Sequence, residues 1–269
     1  MNDSVPGVKD LLVGATGTGK THAIRTLIDA GITPFILFTE PGFSSVLGDI
    51  PDEKLHWHYI PPTNASWQKM IDSAKKINTM SFESLAKLQN INKSEYDEFI
   101  KILTSLCAFQ CDRCGEEFGD ITEWKNDRAI VVDSLSGLNI AAMNLVVGSK
   151  PTKSMADWGV AMDNLERLIQ KLCVGTTCHF ILTAHLEREF DEVTGATHLM
   201  ASTLGRKLAP KIPRFFDDVI QCRREGSEFF WSTAAMNADL KARNLPISDK
   251  LDPSFKQVIE NWKSKQTTE

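Results

Sequence analysis

Val8-Lys9-Asp10-Leu11-Leu12-Val13-Gly14-Ala15-Thr16-Gly17-Thr18-Gly19-Lys20-Thr21 is the segment from which the rest of the chain can be interpreted. An apolar run ends in G-x-x-x-x-G-K-T, and Ala23, Ile24, Leu27 and Ile28 then recur at helical spacing as far as Gly31. A strand, a glycine-rich loop and a helix in that order make a phosphate cradle. The glycines let the backbone curl until its N–H groups face phosphate oxygens. Lys20 can then reach the β- and γ-phosphates, and the Thr21 hydroxyl can bind Mg²⁺. Gly14, Ala15, Thr16, Gly17, Thr18, Gly19, Lys20 and Thr21 are thus the expected nucleotide-binding set, for ATP or GTP.

Further along, Pro34 opens a second buried run, Phe35-Ile36-Leu37-Phe38, which stops at Thr39-Glu40-Pro41-Gly42. Strand, loop, helix and strand in succession predict a parallel sheet with a right-handed crossover. Residues 55–60 read as another strand, closed by Pro61-Pro62. From about 66 to 106 the pattern is helical and fairly polar, starting near Ala65-Ser66-Trp67. We expect 61–128 to be an insertion in one domain spanning 1–269. The core resumes at Ala129-Ile130-Val131-Val132-Asp133, four apolar residues running into a carboxylate. Asp133 would end its strand beside the phosphate loop and hold Mg²⁺ there.

A helix, a loop at 148–153 and a second helix from Met155 to about Cys173 follow, with Trp158, Met162, Leu165, Leu168, Ile169 and Leu172 on one face. His179 to His185 reads as a buried strand leading into a polar hairpin or loop that turns at Thr194-Gly195. Residues 219–222 and 228–231 read as antiparallel strands joined at Glu225-Gly226. Residues 253–263 read as a closing helix.

Bulk composition narrows the class. With 42% hydrophobic and 24% charged residues the chain has the balance of a soluble globular protein. A net charge of −5 excludes a basic nucleic-acid coat, so contact with DNA must come from local patches. Met1-Asn2-Asp3-Ser4 has no secretory pattern and no apolar run approaches the ~20 residues that span a bilayer. The expected location is therefore cytoplasmic, away from membranes, where six cysteines serve as thiols or metal ligands.

Strands alternating with helices, the glycine loop first and the Asp133 strand several strands later, resemble the RecA-like division of P-loop NTPases. Four further stretches are similar to phage-encoded RecA-like ATPases, the phage nucleotide-binding proteins, whose relatives include Sak-type single-strand annealing proteins. They are Thr39-Glu40-Pro41-Gly42, Val132-Asp133-Ser134-Leu135-Ser136-Gly137, Thr183-Ala184-His185-Leu186-Glu187-Arg188-Glu189 and Asp239-Leu240-Lys241-Ala242-Arg243-Asn244-Leu245-Pro246. The resemblance covers nearly the whole chain. It implies a RecA-like α/β fold, a mostly parallel twisted sheet with helices on both faces and ligand at the strands' C-terminal edge. It also implies Mg²⁺-dependent ATP hydrolysis coupled to single-stranded DNA, in phage-type recombination or replication, in the host cytoplasm. A homo-oligomer, ring or filament, and a single-stranded DNA-binding protein are the expected partners. Two other readings stand beside this one: a helicase or packaging-type motor, and a nucleotide-gated assembly switch that hydrolyses negligibly.

The resemblance assigns roles to particular residues. Glu40, ending the strand after the loop helix, is the expected general base, with Glu187 and Glu189 in reserve; a surface turn acid is the plainer reading. His185 would act as a γ-phosphate sensor, or be only a satisfied polar residue at a strand end. Lys241 and Arg243 alternate on an extended segment and so face the same way. In RecA-like assemblies such a pair reaches the neighbouring subunit's γ-phosphate in trans; Arg206 and Lys207 compete for that role.

Two groups of residues lie outside this scheme. Cys111-Asp112-Arg113-Cys114-Gly115 has the spacing of half a zinc site. Cys107 would supply a third ligand, with His56, His58 and Cys178 as candidates for a fourth; reduced structural thiols are the alternative. For DNA the features are Lys150 and Lys153 in one loop, Arg206, Lys207 and Lys211 in another, and the polar segment 187–204.

Overall fold

The computed structural model describes residues 5–42, 46, 48, 50–62, 67–86, 96–148, 150, 152–190, 197–235 and 237–266. The expected helix start at Ala65-Ser66 and the expected turn at Thr194-Gly195 lie outside the described residues, as do Ser149 and Pro151.

In chain order the elements are β1 (Lys9–Gly14), α1 (Lys20–Ala23), α2 (Thr26–Asp29), β2 (Thr33–Phe38), β3 (His56–Tyr59), α3 (Trp67–Asn78) and α4 (Phe82–Ala86). There follow α5 (Glu98–Cys107), β4 (Phe109–Gln110), β5 (Glu117–Gly119), β6 (Arg128–Asp133), α6 (Leu135–Val147) and α7 (Met155–Val174). The last are β7 (His179–Phe190), β8 (Thr197–Ala201), β9 (Asp218–Glu225), β10 (Glu228–Ser232) and α8 (Phe255–Gln266).

The main sheet runs β10-β9-β1-β7-β6-β2-β3, with β8 added to β7. Neighbours from β9 through β3 are parallel, whereas β10 and β8 pair antiparallel. This is the mostly parallel α/β sheet that the sequence led us to expect. Successive residues of each central strand go to opposite faces, because strand side chains alternate. Leu11, Val13, Phe35, Leu37, Ile130, Val132, Phe180 and Leu182 pack with Leu138 of α6 and Leu165 of α7. Leu12, Ile36, Phe38, Val131 and Ile181 pack with Leu27 of α2 and Phe255 and Ile259 of α8. Strands buried on both faces read as unbroken apolar runs, which is why they were visible in the sequence.

The helix after the glycine loop departs from expectation. It breaks between Ala23 and Thr26 into two short pieces. The Thr26 hydroxyl donates to the Ala23 carbonyl at 2.7 Å and accepts the Phe255 amide at 2.8 Å, so the first amide of α8 is satisfied at the break. Gly31, at φ 77°, ends the segment as predicted.

The stretch 61–128 divides in two. Phe99, Ile102, Leu106, Phe109, Ile121 and Trp124 are buried in the same cluster as Phe35 and Ile130, so its second half belongs to the main core. Its first half, α3 and α4, leaves Trp67, Met70, Ile71 and Ile77 exposed. Among the described residues no helix is long and apolar enough to cross a membrane.

Candidate active site

The strand order brings three strand ends and the middle of a fourth strand together. Gly14 pairs with His185, and Phe38 with Asp133, so β1, β6 and β2 deliver their C-terminal residues beside His185, midway along β7. A cleft of about 820 Å³ opens there, lined by the glycine loop, Glu40, Asp133 and His185.

The loop between β1 and α1 depends on glycine at specific points. Gly17 and Gly19 have φ of 75° and 83°, in the left-handed region. A Cβ on Gly14 would stand 2.6 Å from the Thr18 hydroxyl and 2.7 Å from the Cys222 carbonyl. Lys20 is buried, and its ammonium donates to the Gly14 and Ala15 carbonyls, both at 2.8 Å. Burial lowers its pKa; the nearby Cys222, Asp133 and Glu40 pull the other way. The Cys222 thiol under the loop is pushed up to about 12 by burial, so it stays a thiol.

Asp133 is the hub. The Thr21 hydroxyl donates to its Oδ2 at 2.7 Å, and the Thr183 hydroxyl donates to its Oδ1. Next to it, the Thr39 hydroxyl donates to the Ser134 carbonyl and accepts the Ser134 amide, each at 2.9 Å. This fixes the end of β2, from which Glu40 projects. Glu40 Oε2 lies 3.8 Å from His185 Nε2, and both side chains are about one-third exposed to the cleft.

Sequence reasoning missed several of these groups. Thr183 stands two residues before His185 on the same strand, so a period of two could have placed it beside Asp133. Thr39 was named only as part of a stretch. His22, Phe229 and Pro253 also line the cleft. Phe229 lies beside Gly19, with Arg224 stacked on its ring at 5.2 Å.

Other expected residues lie elsewhere. Glu187 and Glu189 are not in the cleft lining: the Ser202 hydroxyl donates to Glu187 at 3.3 Å, and Arg206 lies 3.4 Å from Glu189. Lys241 bridges to Val219, near the start of β9, at the end of the sheet opposite the glycine loop. Its ammonium donates to the Phe216 carbonyl, and Arg243 pairs with Asp217 at 2.9 Å. Lys241 and Arg243 are therefore remote from the cleft. Of the basic features, Lys150 pairs with Asp157 at 2.7 Å and Lys211 with Glu166 at 2.9 Å, while Lys153 stacks on Trp158. Lys207 is exposed.

The expected zinc set also changes. Cys107 ends α5 exposed and is not part of the cluster; His56 joins Cys111 and Cys114 instead. His58 is engaged with Asp112 at 2.8 Å, and Cys178 is buried near Lys9.

With this geometry in view, residues 7–247 match the profile of a family described as an AAA domain. The chain belongs to that family. No curated protein matches it. Among solved structures, this AAA domain is similar to an ATPase from the type III secretion system of pathogenic bacteria, at 15% identity and a TM-score of 0.40. That match covers 81% of this chain and 53% of the other, so the chain spans about half the length of the secretion ATPase. It is also similar to the RadB recombinase, at 13% identity and a TM-score of 0.37, over 92% of this chain and 86% of that one.

Proposed function

We propose that this AAA domain hydrolyses ATP with Mg²⁺ and couples the reaction to single-stranded DNA, in phage-type recombination or replication. The observation that carries the hydrolytic reading is the convergence of Lys20, Thr21, Asp133, Glu40 and His185 on one cleft. The Thr21 hydroxyl and Asp133 carboxylate are hard oxygen donors already in contact, a set that suits Mg²⁺. A bound cation there supplies charge that offsets the phosphate oxygens.

The residues divide the work. Lys20 exchanges the Gly14 and Ala15 carbonyls for the β- and γ-phosphates. Glu40 orients a water and accepts its proton as the water oxygen bonds to the γ-phosphorus and the bond to the β,γ-bridging oxygen breaks. His185, within reach of Glu40, holds that carboxylate or the phosphoryl oxygen. ADP and phosphate leave.

Support for coupling comes from β7, which carries His185 and runs on to Phe190 as one arm of a hairpin with β8. Arg188 on that arm and Arg206 and Lys207 nearby are exposed cations suited to a phosphate backbone. The phage role rests on the sequence resemblance. Lys241 and Arg243 enter as trans groups: a head-to-tail neighbour would meet them at the end of the sheet away from this subunit's cleft. Arg243, the more exposed, is the better placed to leave its partner.

The test is phosphate release with and without single-stranded DNA. Stimulated turnover supports the reading. Turnover that ignores DNA removes the coupling, and negligible turnover in both arms favours the assembly switch. Unwinding of a tailed duplex would favour the helicase.

A further inference from the structure

A second chemical centre sits at the far edge of the sheet from β10. His56 begins β3, the edge strand, and pairs in register with Phe35 of β2. The β4–β5 hairpin packs beside it: the Asp112 amide donates to the Trp57 carbonyl, and the Tyr59 amide donates to the Asp112 carboxylate, both at 2.8 Å. This docking brings the turn of the hairpin, Cys111 to Gly115, against His56. The ligand atoms of His56, Cys111 and Cys114 all lie within 4.8 Å of one another.

We propose that His56, Cys111 and Cys114 bind one zinc ion. Zinc bonds of about 2.3 Å to sulfur and 2.0–2.1 Å to nitrogen, set at tetrahedral angles, put neighbouring ligand atoms about 3.5–3.8 Å apart. His56 Nδ1 and Cys114 Sγ are 3.6 Å apart. The turn is shaped for thiolates. The Arg113 amide points at Cys111 Sγ at 3.3 Å, and the Gly115 amide closes the turn on the Cys111 carbonyl at 2.9 Å. Gly115, at φ 78°, supplies the left-handed residue that the turn needs.

The charge balance favours zinc. Two thiolates, one neutral imidazole and Zn²⁺ sum to zero, which suits a site where His56 and Cys111 are buried. His56 stacks on Phe35 at 4.7 Å and lies 4.3 Å from Phe118, so the imidazole is held by an apolar wall. A set of two sulfurs and one nitrogen fits zinc better than Mg²⁺ or Ca²⁺, which take oxygen. Among the described residues no fourth His, Cys, Asp or Glu joins the three, and Cys114 is exposed to solvent. The ion acts as a staple, tying the edge strand β3 to the hairpin.

The test uses the full chain, purified without chelator, and counts metal by elemental analysis. About one zinc per chain is expected. Cys114→Ser should weaken zinc in chelator competition by more than the ~10–100-fold that outer-shell changes cost, and Cys107→Ser should leave it unchanged. Because a variant could misfold, cobalt substitution of the parent protein provides a second readout. Thiolate-to-cobalt charge-transfer absorption that weakens in Cys114→Ser and persists in Cys107→Ser supports the site. Folded protein without metal, a Cys111–Cys114 disulfide in its place, or metal lost with Cys107→Ser and kept with Cys114→Ser would each overturn it. None of these outcomes bears on ATP hydrolysis.

Discussion

The Thr21 hydroxyl and the Asp133 carboxylate, 112 residues apart in the chain, meet at 2.7 Å. The same carboxylate accepts the Thr183 hydroxyl, so one side chain ties α1 and β7 to the end of β6. Asp133→Asn keeps the shape but leaves a single acceptor oxygen for two hydroxyls. The expected cost in stability is about 1–3 kcal/mol, from one unmet hydrogen bond. The cost in turnover is larger, about 10²-fold or more, because metal-centred charge stabilisation is worth several kcal/mol and each 1.36 is tenfold. Urea titration and phosphate release, measured on the same preparation, separate the two effects.

Glu40 faces the cleft and His185 and, among the described residues, has no hydrogen bond to lose. Glu40→Gln should melt near the parent temperature and bind ATP normally, while hydrolysis falls about 10²–10⁴-fold. Nucleotide binding followed by fluorescence, alongside single-turnover hydrolysis, checks this. Normal turnover would remove Glu40 from the chemistry, and the placement of Glu187 and Glu189 outside the cleft would make them poor replacements.

Gly137, in the first turn of α6, shows how closely β2 and α6 approach. A Cβ there would lie 2.2 Å from the Thr39 hydroxyl and 2.4 Å from its Cβ. Gly137→Ala must push Thr39 from its bonds to Ser134, at a cost of about 1–3 kcal/mol for overpacking. Since Thr39 precedes Glu40, turnover should fall further than the stability change alone implies. Denaturation midpoints and rates of the variant give both numbers.

Asp10 carries a pH dependence into the core. It is fully buried, in register with Asp218, and burial first, then the Asp218 and Asp217 charges, push its carboxyl well above 3.8. The Arg243 and Asn244 amides hold Asp218, which leaves Asp10 to take the proton. A raised value means the folded protein holds that proton more tightly than the unfolded chain. Its contribution is complete below 3.8 and is lost as pH rises through the raised value. Asp10→Asn should therefore be more stable than the parent at pH 8, with the gap closing toward pH 4. Buried His179, lowered from 6.5 to about 3 by burial, has the opposite slope: its stability is lost as pH falls below 6.5. Comparing variant and parent at each pH cancels it.

Arg243→Ala removes a surface pair with Asp217, worth about 0–1 kcal/mol. A trans role predicts much more: ATP binding intact and hydrolysis down by about 10³–10⁵. Mixing Arg243→Ala with Lys20→Ala should then restore activity, since a mixed interface joins an intact loop to an intact cation. Absence of rescue, with turnover independent of concentration, would show that each subunit works alone.

The central strands and the cleft residues were legible because burial on both faces leaves a continuous apolar signature and because each run ends in its functional residue. What the sequence could not show was pairing across distance. His56 looked no better than His58 as a ligand, and Cys107 looked better than either, being four residues from Cys111. Only the parallel pairing of β3 on β2 brings His56 to the cysteines. β4 and β5, of two and three residues, are too short for alternation to register. The break after Ala23 depends on a contact with Phe255, at the other end of the chain.

The unbroken course of β7 has a mechanical consequence. From His185 to Phe190 the strand extends about 17 Å at ~3.3 Å per residue, so a tilt of roughly 10° at the cleft swings the far end by about 3 Å. The arm is braced on one side by the ladder to β8, and β8 is itself bridged from Leu199 to Ala238. A stiff pointer works in both directions. Whatever presses on its tip displaces His185, and whatever seats against His185 displaces the tip. Thermodynamic reciprocity then requires that a ligand at the hairpin change nucleotide affinity by the same factor by which nucleotide changes affinity for that ligand.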